Sequence, residues 1–427
     1  MYNITDLREK RYSILDFRET LKNAKTDLNA LSAYSVQGIK DVCAKFGPRP
    51  AGADSEKAAQ EFMMEDLKKY CDGISRETFS LNPEAFMGFV KICGGSMLAA
   101  TASNILGAFT NKKAALGALA GVGTTITALG GEFFFYKKIF DSLYKEKESG
   151  NVIAVRKASG ETKRRIIFSG HTDSAPEWTY TYECGSNGSY YVILPAVAGL
   201  LLTIGTSAAV LCSKNKKLKK GLALSQLAFT PAYAALFKFT DSKRYVDGAN
   251  DDLSGCYVSS SVLKYLSDND IRFENTEVIC VLAGGEEAGT RGSEAFFKAH
   301  PEYKTDGVET IFIAADNIRD EDFMEIYEKD MNGLVQNDTR VCSLLKNAAL
   351  KCGKDIPVGA IPLGSTDAAS ASKAGIPAAS FVAMDPAPAR YYHTRLDTAD
   401  ILEQGTIEKT IEIMLQAVFD FDEKGIN

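Results

Sequence analysis

Histidine is scarce in this chain. Only His171, His300 and His393 occur among 427 residues, so imidazole chemistry has three places to reside. The nine cysteines, at 43, 71, 93, 184, 212, 256, 280, 342 and 352, include no CxxC pair. That excludes a cysteine-built structural zinc site and a disulfide framework, and an odd count suits reduced thiols. Basic residues are not in excess: 49 Lys and Arg stand against 55 Asp and Glu, a net charge of −6. A nucleic-acid partner needs a basic face and is not expected. The opening residues, MYNITDLREKRYSILDFRET, hold no apolar run of the secretory kind, so the expected compartment is cytoplasmic or membrane-associated.

What the chain does have is apolar residues, 45% of the total, enough for a sizeable core and against global disorder. The first 45 residues carry helical spacing through Ile14, Leu15, Phe17, Leu21 and Leu28. FGPRPAG (46–52) is a loop, and Ser55 is the expected cap of the helix behind it. A strand is expected near 75–81, and NVIAVRK and RRIIFSGHTDS read as two more, the second ending at His171. After Gly248 helices and strands alternate: a helix at about 253–266, the strand TEVICVLAGG, a helix from near Ser293, the strands TIFIAAD and IPAASFVAM, and a closing helix at 404–423. Such alternation implies a largely parallel sheet covered on both faces. The expected fold is α/β, a mostly parallel (mixed) central sheet flanked by helices.

Parallel α/β sheets bind ligands at the carboxyl ends of their strands. Four polar clusters fall at such ends: GHTD (170–173), GGEEAG (284–289), AADN (314–317) and the loop holding YYHTRLDT (391–398). A fifth, GANDDLSG (248–255), precedes a helix. Imidazoles and carboxylates are the donors that hydrolytic zinc takes. Two of the three histidines lie in these clusters, whereas His300 in FFKAHPEY reads as structural. Glu286 and Glu287 follow an apolar strand, and neighbours on an extended chain point opposite ways, so one can bind metal while the other faces substrate.

The motifs GPRPAG, SGHTDS, GANDDLSG, GGEEAGTRGS, AADN, AGIPAASF and YHTRLDT, in that order, resemble the co-catalytic di-zinc peptidases of clan MH. Bacterial leucyl aminopeptidases typify that family, and glutamate carboxypeptidases, glutaminyl cyclases and the transferrin receptor ectodomain are relatives. The resemblance covers 46–82, 150–178 and 245–423 and implies a zinc-peptidase-like α/β/α sandwich. It implies two zinc ions, replaceable by manganese or cobalt: one on His171 and Asp316, the other on Glu287 and His393, with Asp251 bridging them, often beside a cis peptide. It further implies Glu286 as general base, Tyr392 as an oxyanion-stabilising group and Asp173 as the acid that orients His171. Asp397 has two open readings, an orienting partner for His393 or the cap of a helix at TADILEQ. The implied activity is a zinc exopeptidase acting on peptides, foremost an aminopeptidase. A metallo-carboxypeptidase, dipeptidase or glutaminyl cyclase-like enzyme is the alternative, and a non-enzymatic receptor-like scaffold the remote one.

Two apolar blocks interrupt the resemblance, at 86–136 and 190–239. Each has the form of a helical hairpin with a basic tip, TNKK in one and SKNKKLKK in the other. The expected organisation is catalytic sequence at 1–85, 146–182 and 244–427, with hairpin insertions at 86–145 and 183–243. YYVILPAVAGLLLTIGTSAAVLC is uncharged over a length that crosses a bilayer. Four transmembrane helices and a soluble lid or oligomer interface are both open readings.

Overall fold

A computed structural model describes residues 16–387 and 389–426, so the part of the N-terminal helical reading that rests on Ile14 and Leu15 lies outside the described residues. Helices α1 (Phe17–Lys22) and α2 (Leu28–Phe46) are separate. Each opens on an aspartate cap: Asp16 accepts from the Arg18 N–H and Asp27 from the Ala30 N–H. Helix α3 (Asp54–Leu67) begins before Ser55, which is not its cap; the Ser55 hydroxyl instead donates to the Pro48 carbonyl.

Strand β1 (Gly73–Leu81) leads into the first insertion: α4 (Ala85–Phe109), a tip, then α5 (Ala115–Ala128), which continues as a wider turn through Phe134. The chain rejoins the sheet as β2 (Lys147–Arg156), followed by β3 (Arg164–His171) and the short β4 (Pro176–Trp178). The second insertion holds α6 (Thr179–Cys184), α7 (Tyr190–Cys212), α8 (Lys216–Ser225) and α9 (Thr230–Ala235), and returns through β5 (Thr240–Tyr245). The remainder runs α10 (Gly255–Asp268), β6 (Thr276–Ala283), α11 (Arg291–Ala299), β7 (Glu309–Ile318), β8 (Met324–Asp330), β9 (Val335–Gln336), α12 (Thr339–Lys351), β10 (Val358–Ala360), α13 (Asp367–Ala374), β11 (Ala378–Ala383) and α14 (Gln404–Lys424).

The main sheet has nine strands in the order β1-β2-β6-β3-β7-β11-β8-β10, with β9 on β8. Strands β6, β3, β7 and β11 are parallel neighbours at its centre, and antiparallel pairs flank them. The mixed sheet with its parallel centre agrees with the sequence reading. Central strands are apolar on both faces: Phe168 and Ile313 pack toward α2, α3, α10 and α14, Ile167 and Phe312 toward α11 and α13. That double burial is what the continuous apolar runs required.

Each insertion joins two strands that pair antiparallel, β1 with β2 and β4 with β5, so each leaves and returns at one place. Three of its helical stretches, Ala85–Phe109, Lys112–Phe134 and Tyr190–Cys212, are long and apolar enough to cross a membrane. The fourth limb is broken: α8 passes through a tighter turn at Gln226–Phe229 before α9, where Pro231 enters.

Candidate metal centre

The parallel strands deliver the polar clusters to one end of the sheet. His171 is the last residue of β3, Asp316 lies near the end of β7, and the Glu286–Glu287 pair follows β6. His393 sits after β11 with a left-handed backbone, φ 52°, uncommon for a residue with a side chain. The pair is on a turn rather than extended chain, yet its carboxylates still diverge. Glu286 Oε2 lies 3.8 Å from His171 Nε2, while Glu287 Oε1 lies 3.3 Å from His393 Nε2.

Asp251 stands between the two imidazoles. Its Oδ1 is 3.2 Å from His171 Nε2 and its Oδ2 is 3.1 Å from His393 Nε2. The peptide bond from Asp251 to Asp252 is cis, as the resemblance implied. The loop carrying them is fixed from three directions. Asp252 accepts from the backbone N–H groups of His171 (3.0 Å), Gly255 (2.9 Å) and Asn317 (3.2 Å). Asp397 accepts from the N–H groups of Asn250 (2.7 Å) and Asp251 (3.0 Å), so it neither orients His393 nor caps a helix. Arg49, fully buried in the GPRPAG loop, donates to the carbonyls of Thr172, Asp247 and Gly248 and ties the His171 loop to the Asp251 loop. Gly255 is required by close approach: a Cβ there would lie 2.0 Å from the Ala315 carbonyl oxygen.

Asp173 links two clusters. Its side chain accepts from the N–H groups of Glu286 (2.9 Å) and Glu287 (3.0 Å), and its Oδ1 is 3.4 Å from His171 Nδ1. It therefore positions the glutamate pair as much as the histidine. Tyr392 stacks on His393 with ring centroids 3.9 Å apart.

The donor atoms suit a bound cation. One ligand atom each from His171, Asp251 and Glu287 lie within 4.8 Å of one another, and so do those of His171, Asp252 and Asp316. Buried Asp251 Oδ2, Glu287 Oε1 and His393 Nδ1 have no hydrogen-bond partner among the described residues. Zinc–donor bonds of 2.0–2.1 Å put tetrahedral ligands about 3.3 Å apart, close to the spacings between these histidines and carboxylates.

Electrostatics point the same way. Burial pushes the Glu286, Glu287 and Asp252 carboxyls upward, and burial with the neighbouring Asp251 charge moves Asp316 to about 7. Burial works against the charged form of both histidines, but the carboxylates around them outweigh it. His171 is raised by Asp173 and Asp251, and His393 is raised to about 10 by Glu287 and Asp251. Among the described residues no lysine or arginine pairs with these acids. A buried set of carboxylates answered only by two imidazoles is one that a cation relieves.

His300 lies elsewhere, between Glu77 and Glu302 and stacked on Tyr303, a structural role as read from the sequence. Trp178 was not expected at the site. Its ring meets His393 edge to face at 4.9 Å, and its backbone N–H donates to the His393 carbonyl (2.8 Å). It is the one tryptophan of the chain, and it sits in no motif; only the strand pairing of β4 with β5 brings it there.

The profile of peptidase family M28, a family of peptide hydrolases, matches residues 239–418, which include Asp251, Glu286, Glu287, Asp316 and His393. No curated protein matches the chain in sequence. Among solved structures it is similar to an aminopeptidase from Aneurinibacillus sp. strain AM-1, at 15% identity and a TM-score of 0.55, covering 94% of this chain and 95% of that one. A zinc aminopeptidase from Bacillus subtilis matches at 14% identity and 0.53, covering 91% and 94%. A glutaminyl cyclase from an Acidobacteriales bacterium matches at 14% and 0.53, covering 92% and 95%. At these identities the likeness is one of fold. The profile match over residues 239–418 agrees with the resemblance of the sequence to zinc peptidases, and the solved structures share its fold.

Proposed function

We propose that the chain is a zinc-dependent exopeptidase, an aminopeptidase, with two metal ions held by His171, Asp251, Glu287, Asp316 and His393. The observation that carries this reading is the Asp251 carboxylate, whose two oxygens face the two imidazoles at 3.2 and 3.1 Å. Asp251 would be the ligand shared between a cation held with His171 and Asp316 and another held with His393 and Glu287. Zinc bound there supplies Lewis acidity, polarising the scissile carbonyl and acidifying water.

The chain's own groups do the rest. Glu286 points toward His171 rather than into the His393 ligand group, and it is the carboxylate free to take a proton from the attacking water and return it to the departing amine. Asp173 grips the backbone of both glutamates, so the base and its neighbouring ligand stay in fixed relation to His171. Tyr392, held flat on His393, is the phenol we assign as the oxyanion partner. Asp397 fixes the Asp251 backbone, and a metal-ligand support of this kind commonly matters 10–100-fold for affinity, roughly.

Exopeptidase rather than endopeptidase action is supported by the cleft beside Glu287. Its walls include Glu84, Met87 and Lys91 from the start of the first insertion and Tyr245 from the end of the second. The insertions thus narrow the approach where a long internal stretch of substrate would run. Exposed Glu84 offers a carboxylate to a free amino terminus.

A time course by mass spectrometry on an unblocked decapeptide and its N-acetylated twin tests this. Stepwise loss from the free N-terminus, with the acetylated peptide intact, is the expected result. Shortening from the other end would replace aminopeptidase by carboxypeptidase. A fold shared with a glutaminyl cyclase favours one second reading, cyclisation of N-terminal glutamine. A peptide beginning with glutamine, losing ammonia instead of a residue, would establish it.

A further inference from the structure

In the two insertions polarity is arranged the reverse of the rest of the chain. Helices α4, α5 and α7 and the broken limb α8–α9 pack into one bundle. Its interior joins an apolar cluster around Phe89, Val90 and Val192 to a string of amides and hydroxyls. Asn104 Nδ2 donates to the Thr203 carbonyl and to Gln226 Oε1, each at 3.3 Å, and Ser207 Oγ donates to Asn104 Oδ1 at 3.1 Å. All four residues are fully buried. Glycines allow the close approach: a Cβ on Gly121 would stand 2.6 Å from the Ser96 carbonyl oxygen. The outer face is leucine and isoleucine, with Leu194 and Leu201 64% and 65% exposed and Leu116 and Ile126 56% and 53%. Among the described residues, all but five of the large exposed apolar side chains lie between Leu106 and Phe237.

A bundle in water hides its leucines and shows its amides. Soluble monomers rarely expose continuous apolar patches beyond a few hundred Å², roughly. Polar groups inside, small residues at contacts and leucine outside are what hydrocarbon surroundings select. Lengths agree. The 25 residues of α4 and 23 of α7 rise roughly 35–38 Å at 1.5 Å each, against about 30 Å of bilayer hydrocarbon. Charge agrees as well. Residues 92–111, 114–131, 189–213 and 221–237 contain no Asp, Glu, Lys or Arg. Exposed lysines bracket them at both ends, Lys112, Lys113 and Lys217 at the tips and Lys137, Lys138 and Lys238 at the base. Basic residues at both ends of apolar limbs complement anionic headgroups.

We infer that the two insertions form a single bundle embedded in a lipid bilayer with anionic headgroups, the lysine-bearing tips in one headgroup layer and the α/β part against the other. Both hairpins return to the sheet they left, so the catalytic part stays on one side. The cleft beside Glu287, walled by the first turns of α4, then opens at the bilayer surface. The inference does not rest on the peptidase reading, because its test measures no turnover.

The test is flotation of the purified full-length chain, dialysed from detergent with vesicles of phosphatidylcholine and phosphatidylglycerol. The expected result is recovery of most protein with the vesicles, retained after alkaline carbonate. The double variant Leu194→Asp, Leu201→Asp places charges on the outward face, where water tolerates them and hydrocarbon does not. It is expected to float several-fold less while its circular dichroism keeps the wild-type helix content. A wild-type chain that stays monomeric in detergent-free buffer and remains at the bottom of the gradient would overturn the inference. A discrete detergent-free oligomer that does not float would overturn it too, assigning the face to a second copy.

Discussion

In the α/β part the large fully buried side chains are mostly aromatic, Tyr265, Phe168, Phe296, Phe312, Phe381 and Phe421 among them, and the surface carries most of the charges. In the helical bundle the fully buried set includes Asn104, Thr203, Ser207 and Gln226, and the surface carries leucine. One chain therefore follows two rules of burial. The first is the rule of water, where apolar area is removed from solvent and polar groups enter the core only when fully paired. The second needs no hydrophobic drive between helices and relies on close contacts and hydrogen bonds. Chemistry gathers at the end of the sheet, where the first rule is locally broken by a buried cluster of acids.

That division can be tested from the chemistry outward. The largest effect is expected for Glu286→Gln. An amide cannot take the water's proton, and kcat should fall by roughly 10²–10⁴-fold while zinc content is retained. Metal analysis beside peptide turnover checks both halves. Zinc lost together with activity would make Glu286 a ligand and leave the base unassigned. Flotation of the same variant should be unchanged, since nothing in the bundle depends on that carboxylate.

Next is Arg49→Met. The guanidinium is fully buried and donates to the carbonyls of Gly47, Thr172, Asp247 and Gly248, which join the two loops that carry His171 and Asp251. Methionine has similar length and no donors, so several buried acceptors would be orphaned at about 1–3 kcal/mol each in the unrelaxed case. A thermal midpoint lowered by many degrees, with zinc bound more weakly, is expected. A stable variant with normal zinc content would show that the loops hold themselves.

The third expectation concerns Asp397, and it measures how far the site can be read from sequence. The convergence of His171, Glu287 and His393 was legible because polar clusters follow the strand ends, whereas Asp251, on a loop before a helix, joined them through the family resemblance. Asp316 was legible from its strand end as well. The part played by Asp397 was not, since the groups it serves, the N–H of Asn250 and of Asp251, lie far back in the chain and leave no side-chain signature. Trp178 escaped likewise, because edge-to-face contact with His393 depends on β4 pairing with β5. The fold was legible where periodicity matched a single environment, in the apolar central strands and in α14. The hairpin form failed at the fourth apolar limb, where Gln226 turns inward to Asn104 and Pro231 follows, so the limb is broken rather than one helix. In Asp397→Asn one accepting oxygen becomes a donor facing another donor. The Asp251 backbone should loosen, and zinc affinity should fall about 10–100-fold by competition with a chelator. An unchanged affinity would mean that the Asp251 loop is fixed by Asp252 and Arg49 alone.

The smallest effect is expected in the bundle, and its smallness is informative. Asn104→Leu removes three hydrogen bonds, to Thr203, Gln226 and Ser207, from a fully buried position. In a water-soluble core the orphaned partners would cost about 1–3 kcal/mol each. In a bilayer the reference state is also apolar and also finds partners, and interhelical hydrogen bonds average about 0.6 kcal/mol. Unfolding measured in mixed micelles should therefore shift by less than one such core loss, whereas the comparable change in the α/β part, Arg49→Met, shifts it by much more. Equal losses for the two variants would say that the bundle obeys the rule of water after all, and its leucine face would then need a protein cover rather than lipid.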